Sequence, residues 1–379
     1  MIIDDLDRSR TERTFTFTAR LLSALHLDGL LLTGLCLTAF VGMAIVYSAS
    51  GGSVPMLRSQ GFKFVLAVIA MLALAQVPPR LIRMSAPWLY LLGLLLLLMV
   101  MLKGDVAMGA RRWLDLGFIR FQPSEIMKIA VPLACAWYLH DQPLPPRWTA
   151  VGILMAAIVL PTYIISLQPD LGTALLVLTA GAMVLLLAGL RTRYLIAGAL
   201  MGAGTAVFAW FYLLHPYQRQ RVLTFLDPQN DPLGAGYHII QSQIAIGSGH
   251  IFGKGYMNGS QAQLEFLPER STDFIFAVIG EEMGLLGLIA VLALYAFIVG
   301  RGLYIAATAQ DTFARLVAGS LSLTFAVYAL VNAGMVTGLL PVVGVPLPLI
   351  SYGGTSMVTL MAGFGILMAV NARRRLVGR

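Results

Sequence analysis

Ala86-Pro-Trp-Leu-Tyr-Leu-Leu-Gly-Leu-Leu-Leu-Leu-Leu-Met-Val-Met-Leu102 runs for 17 residues without a charge, with Arg83 before it and Lys103 after it. A helix needs about 20 mostly apolar residues to cross a hydrocarbon core of about 30 Å, so such a run reads as a membrane span. Comparable apolar runs recur near 28–48, 60–77, 123–140, 148–167, 171–189, 194–214, 273–300, 313–337 and 353–371. The expected fold is all-α: a polytopic integral membrane protein of about ten transmembrane helices, with a large extracytoplasmic loop over 215–272 between spans seven and eight. Composition agrees. Of 379 residues 58% are hydrophobic and 12% charged, and the mean hydropathy is +0.81, which leaves no room for a separate soluble domain.

Residues 1–27 carry Arg8, Arg10, Arg13 and Arg20 and read as a cytoplasmic tail. With that end inside, every predicted inner segment is basic: Arg80 and Arg83, Arg147, Arg191 and Arg193, Arg301 and Arg315, then Arg373, Arg374 and Arg375 in a short C-terminus over 372–379. Both termini are therefore expected in the cytoplasm. The net charge of +8 belongs largely to these flanks, so it is a topology signal and nucleic acid is not an expected partner. Cys36 and Cys135 fall inside apolar runs and read as buried packing residues, not as a disulfide or a metal cluster.

The other cations lie at or near the outer face, where topology has no use for them. They are Arg58, Lys63, Lys103, Arg111, Arg112, Arg120, Lys128, Arg219, Arg221, Lys254 and Arg270, and they are candidates for holding an anion. The plainer alternative is solvated charge paired with Asp105, Asp115 or Glu265. In the long loop, Arg221 opens a stretch that turns at two Asp-Pro pairs and ends at His238, and Gly253-Lys-Gly255 follows. Glycine-punctuated backbone of this kind can approach phosphate oxygens, although an ordinary turn and a packing histidine are the commoner readings.

Acids mark the outer ends of several spans. Asp273 immediately precedes the eighth, where it sits at the interface and either it or Thr272 is a possible N-cap; Glu281 and Glu282 lie about two turns deeper and need partners or water. Pro123 suits a first helical turn, after which Glu125 and Lys128 share a face, and Asp170 opens the sixth span as a cap or a functional acid. The last outer loop, Gly338 to Ser356, is uncharged and proline-rich and reads as a re-entrant turn or cleft wall, with Tyr352, Thr355 and Ser356 able to bond a sugar or cap the tenth span. Cations, carboxylates and apolar walls opening to lipid suit a lipid-linked anion such as an isoprenoid pyrophosphate sugar. Chemistry on such a donor needs cations for the departing pyrophosphate and a carboxylate to take a proton from an acceptor hydroxyl.

Phe266-Leu-Pro-Glu-Arg-Ser-Thr-Asp-Phe-Ile-Phe-Ala277, Gly109-Ala-Arg-Arg-Trp-Leu114, Gln122-Pro-Ser-Glu-Ile-Met-Lys128, Gln168-Pro-Asp-Leu-Gly-Thr173 and Pro348-Leu-Ile-Ser-Tyr-Gly-Gly-Thr-Ser356 resemble, in order, the SEDS family (shape, elongation, division and sporulation). The run from Gly259 to Glu269, with Gln241 to Gly249 before it, is more similar to the rod-shape members than to the division members. The resemblance implies a peptidoglycan glycosyltransferase that polymerises lipid II into glycan strands during cell elongation, at the outer face of the bacterial inner membrane. Asp273 would then be the general base on the acceptor GlcNAc 4-hydroxyl, with undecaprenyl pyrophosphate leaving. Arg111, Arg112, Arg221 and Lys254, with Glu269, Tyr352 and Ser356, are the substrate-binding candidates, and Glu125, Lys128, Asp170 and His238 the supporting ones. A divalent cation such as Mg²⁺ fits the leaving group though no ligand cluster marks a site, and no organic cofactor is expected. The implied partners are lipid II, the nascent strand, a class B penicillin-binding transpeptidase and other membrane proteins of the elongation complex. The alternatives are a lipid II flippase and a non-catalytic scaffold of that complex.

Overall fold

The computed structural model describes residues 25–107, 110–115, 120–212, 216–227, 235–264, 266–267 and 269–377. Among them are ten helices of 17 residues or more: α1 (Gly29–Ala49), α2 (Val54–Gln76), α3 (Pro79–Lys103), α4 (Pro123–Leu139), α5 (Trp148–Leu167), α6 (Leu171–Leu187), α7 (Thr192–Tyr212), α11 (Ile275–Ala307), α12 (Thr312–Val336) and α13 (Thr355–Val377). Between α7 and α11 come three shorter ones, α8 (Pro216–Leu226), α9 (Ala235–Ser248) and α10 (Ser260–Gln263). Eight of the ten are long and apolar enough to cross a membrane. The exceptions, α4 and α6, have 17 residues each, about 25 Å of rise, and both are sandwiched between other helices. This is a multi-pass membrane protein.

Local chemistry sets the helix starts. Proline opens α2, α3 and α4, where the missing N–H is no loss. Asp28 caps α1 by accepting the Leu31 N–H at 2.9 Å, and it also accepts from Arg301 Nε and Nη2 (2.9 and 2.7 Å) and Asn371 Nδ2 (2.9 Å). One buried carboxylate thus ties α1, α11 and α13 together at one end of the bundle. Arg83, His140 and Asp311 meet at the same end, with His140 Nδ1 3.0 Å from Asp311 Oδ1 and Arg83 against His140 Nε2.

Side-chain packing divides into two cores. The larger lies among α1, α2, α11, α12 and α13; the second lies among α3, α4, α5 and α6, with α12 shared. Small residues let the helices approach: a Cβ on Gly365 of α13 would sit 2.4 Å from the Met71 carbonyl of α2, and one on Gly302 of α11 would sit 2.1 Å from Ser322 Oγ of α12. None of the described side chains of α7 is buried. Cys135 is buried as expected, but Cys36 faces outward from α1, because the apolar run is uniform around the helix and gives no inward stripe.

Two features depart from plain spans. Residues between α3 and α4 form a small antiparallel sheet, β1 (Asp105–Ala107), β2 (Ala110–Asp115) and β3 (Arg120–Phe121), in that order, with Val106 opposite Arg111 and Leu114 opposite Phe121. Strand pairing satisfies the backbone N–H and C=O groups of this segment outside the helices. In addition, α11 breaks at Gly284, which takes φ +67°. Residues 250–255 run alongside the break: the N–H groups of Lys254 and Gly255 bond the carbonyls of Glu281 and Glu282 (both 3.0 Å), and those of Leu285 and Leu286 bond His250 and Ile251 (3.0 and 3.2 Å). Irregular backbone in a span is tolerated where other protein groups satisfy it in this way.

Candidate active site

The turn Glu269–Phe274 delivers Asp273 to the start of α11. Glu269 takes a positive φ of 50°, unusual for a residue with a Cβ, and its carbonyl accepts the N–H groups of Thr272 (3.1 Å) and Phe274 (3.3 Å). Its carboxylate accepts the Thr272 hydroxyl at 2.7 Å, which is the role the structure gives Glu269. The N-cap position of α11 is held by Phe274, which makes no side-chain cap bond, and Asp273 stands one position before it.

Three successive carbonyls hold this turn in place. Ser271 O accepts from Tyr352 N (2.8 Å), Thr272 O from Ser351 Oγ (2.5 Å) and Asp273 O from Asn332 Nδ2 (2.8 Å). Asn332 is fully buried in α12 and also donates to Val345 O at 2.8 Å, and Ser351 Oγ accepts Leu347 N at 2.8 Å. The loop before α13 and one amide of α12 therefore set the Asp273 backbone without using its carboxylate. Sequence reading missed Asn332 and Ser351. The signal for Asn332 was present: a lone amide deep in the apolar run of the ninth span needs partners there.

The same loop links Asp273 to Asp170. A Cβ on Gly172, at the start of α6, would meet the Val343 carbonyl at 2.4 Å, whereas one on Gly344 would stand 3.5 Å from Asp273 Oδ2. Residues 343–345 thus lie between the two acids. Asp170 is buried; Oδ1 caps α6 through Thr173 N (3.1 Å) and Oδ2 accepts Gln122 Nε2 (2.9 Å). Arg112 donates to Pro169 O (2.5 Å) and Gln168 O (3.4 Å), so it braces the Asp170 turn.

Gly344 has φ +73°, which disfavours any residue with a Cβ by about 1–2 kcal/mol. Gly344→Ala is therefore expected to lower stability by roughly that amount, while its methyl meets the Asp273 carboxylate at ordinary contact distance and lowers activity by less than about tenfold. Thermal unfolding and initial rates on the purified variant check both effects.

Tyr352 faces the first turns of α2. Lys63 Nζ lies 3.6 Å over its ring, Ser59 Oγ is 3.1 Å from its hydroxyl, and Gln60 Nε2 donates to Ser351 O at 3.1 Å. Lys63 and Ser59 hold the phenol below its ordinary pKa. His238 of α9 stacks on Phe274, with centroids 5.6 Å apart, next to Asp273 in the chain.

A second group lies between α4, α12 and α13. Lys128 Nζ and Glu125 Oε1 are 2.6 Å apart and both side chains are buried, as their i, i+3 spacing suggested. Tyr328 lies 4.8 Å beneath the ammonium and hydrogen-bonds Ser356. Glu125, Lys128 and Tyr328, with Thr324 and Thr359, line a cavity of about 30 Å³, room for a water or two, where Glu125 Oε2 and Thr324 Oγ1 lack protein partners.

Lys254 is used elsewhere. Its ammonium lies 2.7 Å from Glu281 Oε1 and 2.9 Å from Ser260 Oγ. Glu281 is completely buried and also accepts Ser260 Oγ (3.1 Å), Gln261 N (2.9 Å) and Ala262 N (3.2 Å). Ala262 O in turn accepts Arg270 Nη1, so this network shapes the approach to Asp273. Both oxygens of Glu282 lie within reach of Ser48 Oγ, at 2.5 and 2.7 Å, tying α11 to α1. Arg111 lies on β2 and Arg221 on α8, and their side chains lie outside the described residues. Among the described residues no three His, Cys, Asp or Glu side chains gather to hold a metal.

Residues 27–376 match the FtsW, RodA and SpoVE family, described as cell cycle proteins. The chain belongs to that family, the SEDS proteins. It is 49% identical to the peptidoglycan glycosyltransferase MrdB of Escherichia coli K12, over 93% of this chain and 96% of that one. Its identity to a probable peptidoglycan glycosyltransferase FtsW of Geobacter metallireducens is 37%, over 91% and 94% of the two chains. The rod shape determining protein RodA of Thermus thermophilus shares the fold with a TM-score of 0.69 at 28% identity, covering 92% of this chain and 97% of that one. A chain from a peptidoglycan synthase complex that coordinates polymerization and crosslinking superposes with a TM-score of 0.79 at 32% identity, over 92% and 98%.

Proposed function

We propose that this chain is a peptidoglycan glycosyltransferase that polymerises lipid II, with Asp273 as general base. The observation that carries the reading is the clamp on the three carbonyls of Ser271, Thr272 and Asp273, which orients one carboxylate beside a glycine at the mouth of α11. Names shared by its relatives support the reaction class. The acceptor GlcNAc 4-hydroxyl attacks the anomeric carbon of the donor, the bond from that carbon to the phosphate oxygen breaks, and undecaprenyl pyrophosphate leaves. Asp273 takes the hydroxyl proton as the new glycosidic bond forms. Cations near the leaving group stabilise the charge it acquires. For that role we favour Arg111 and Arg221, and add Lys63; Arg112 and Lys254 serve the site by holding its turns. Among the described residues no three His, Cys, Asp or Glu side chains gather as a cage for a divalent cation, and no step is routed through one.

The basic flanks support a bacterial inner-membrane placement with both termini in the cytoplasm and Asp273 at the outer face. The likeness to a synthase complex supports partnership with a class B penicillin-binding transpeptidase in the elongation complex. The test incubates the purified protein, with that transpeptidase, with labelled lipid II and resolves products by length. Glycan ladders are expected. No ladder, together with lipid II crossing the bilayer of reconstituted vesicles, would replace the transferase by a flippase; neither activity would leave the scaffold.

A further inference from the structure

The end of the bundle away from Asp273 carries a cleft that the polymerase chemistry does not use. Its position follows from α12, which begins at Asp311 beside Arg83 and His140 and reaches Asp273 through Asn332 near its other end. The cleft has a volume of about 440 Å³ and is lined by Met84, Pro87, Trp88 and Leu91 of α3 and Trp137 of α4. Pockets for small ligands span about 300–1,000 Å³, so this one holds a chain-sized apolar group. Pro87 lies inside α3, where its ring replaces an N–H and notches the helix surface.

Arg80 continues the same stripe. At 100° per residue, positions 80, 84, 87, 88 and 91 share one face of α3, and Arg80 to Leu91 spans about 16 Å of rise. One leaflet of hydrocarbon is about 15 Å thick, so the stripe runs from a headgroup level to the bilayer midplane. Arg80 is exposed and among the described residues has no acidic partner. Among the charges at this end, Arg83 and His140 meet Asp311, and Asp141 lies 3.8 Å from His140. Trp88 (72% exposed) and Trp137 (44%) line the cleft and give it broad apolar walls against which a hydrocarbon chain can lie.

We propose that this cleft binds one anionic phospholipid of the leaflet away from Asp273, its phosphate on Arg80 and one acyl chain along Met84, Trp88 and Leu91 against Trp137. An exposed cation at the head of a leaflet-length apolar groove favours a lipid of net negative charge by about 1 kcal/mol over a zwitterionic one, whose own ammonium offsets its phosphate.

The test exposes the full-length protein to equal phosphatidylglycerol and phosphatidylcholine in mild detergent and counts retained lipids by native mass spectrometry. One phosphatidylglycerol is expected to be retained over phosphatidylcholine by about fivefold. Arg80→Ala should level the two lipids, Arg80→Lys should keep the preference, and Trp88→Ala should lower retention of both, with unfolding profiles in the same detergent confirming intact variants. Equal retention by the wild type, or a preference that survives Arg80→Ala, means ordinary boundary lipid and overturns the proposal. Release of the lipid by adding the partner transpeptidase, with no headgroup preference before it, makes the cleft a helix-docking face and overturns it as well.

Discussion

Asp273→Asn is expected to reduce lipid II polymerisation by about two to four orders of magnitude, the usual contribution of a positioned general base. Asparagine keeps the shape of the side chain but cannot accept a proton at neutral pH. The fold should survive the change, because Phe274 and not Asp273 is the N-cap of α11 and because Asn332, Ser351 and Tyr352 grip backbone carbonyls that the substitution leaves in place. Unfolding in detergent is expected to shift by no more than about 0.5 kcal/mol. Gel ladders from wild type and variant, at matched protein and partner, give the comparison. A variant that polymerises at the wild-type rate would move the base elsewhere and remove the mechanistic reading.

Glu281→Leu should produce the largest loss of stability among single substitutions in the first turns of α11. Its carboxylate is the common acceptor for the Lys254 ammonium, the Ser260 hydroxyl and the N–H groups of Gln261 and Ala262. Leucine leaves all of these donors without their acceptor. Breaking a buried pair from one side costs about 3–5 kcal/mol, since the surviving charge stays desolvated. Lys254 keeps some solvent access, with 29% of its side chain exposed, which places the expectation toward the lower end of that range. Unfolding by titration with a denaturing detergent, followed by circular dichroism, measures it. Adding Lys254→Met to Glu281→Leu should recover part of the loss, because no charge is then stranded. A change below about 0.5 kcal/mol for Glu281→Leu would mean that the network does not hold the 250–263 segment, and Lys254 would return to the candidates for phosphate binding.

Much of the architecture was legible residue by residue. The run read over 148–167 is helix α5 itself, Pro123 stands in the first turn of α4, Glu125 and Lys128 pair across i, i+3, and Asp170 caps α6. All of these are local. A span is recognised by apolar length, a cap by the residue before it, and a same-face pair by the helical repeat. The outer cations were harder. A charge on the outer side shows that something holds it, but Lys254 on Glu281 and Arg112 on the carbonyls of Gln168 and Pro169 depend on partners 27 and 56 or 57 positions away.

What the sequence by itself determined is an all-helical multi-pass membrane protein, read as about ten spans with acids and surplus cations at their ends, and a family likeness that named Asp273. Tertiary structure alone decided the break of α11 at Gly284 against residues 250–255, the outward face of Cys36, the three-stranded sheet before α4, and the clamp on Asp273. That clamp joins α12, the loop before α13 and the turn before α11, through Asn332, Ser351 and Tyr352 at separations of 59 and 79 residues for the two side chains. The physical reason is the uniformity of a membrane sequence. Lipid accepts apolar surface on every side of a helix, so the pattern of hydrophobicity says that a segment crosses the bilayer, while the choice of neighbour rests on small residues and single buried polar groups whose partners lie far along the chain.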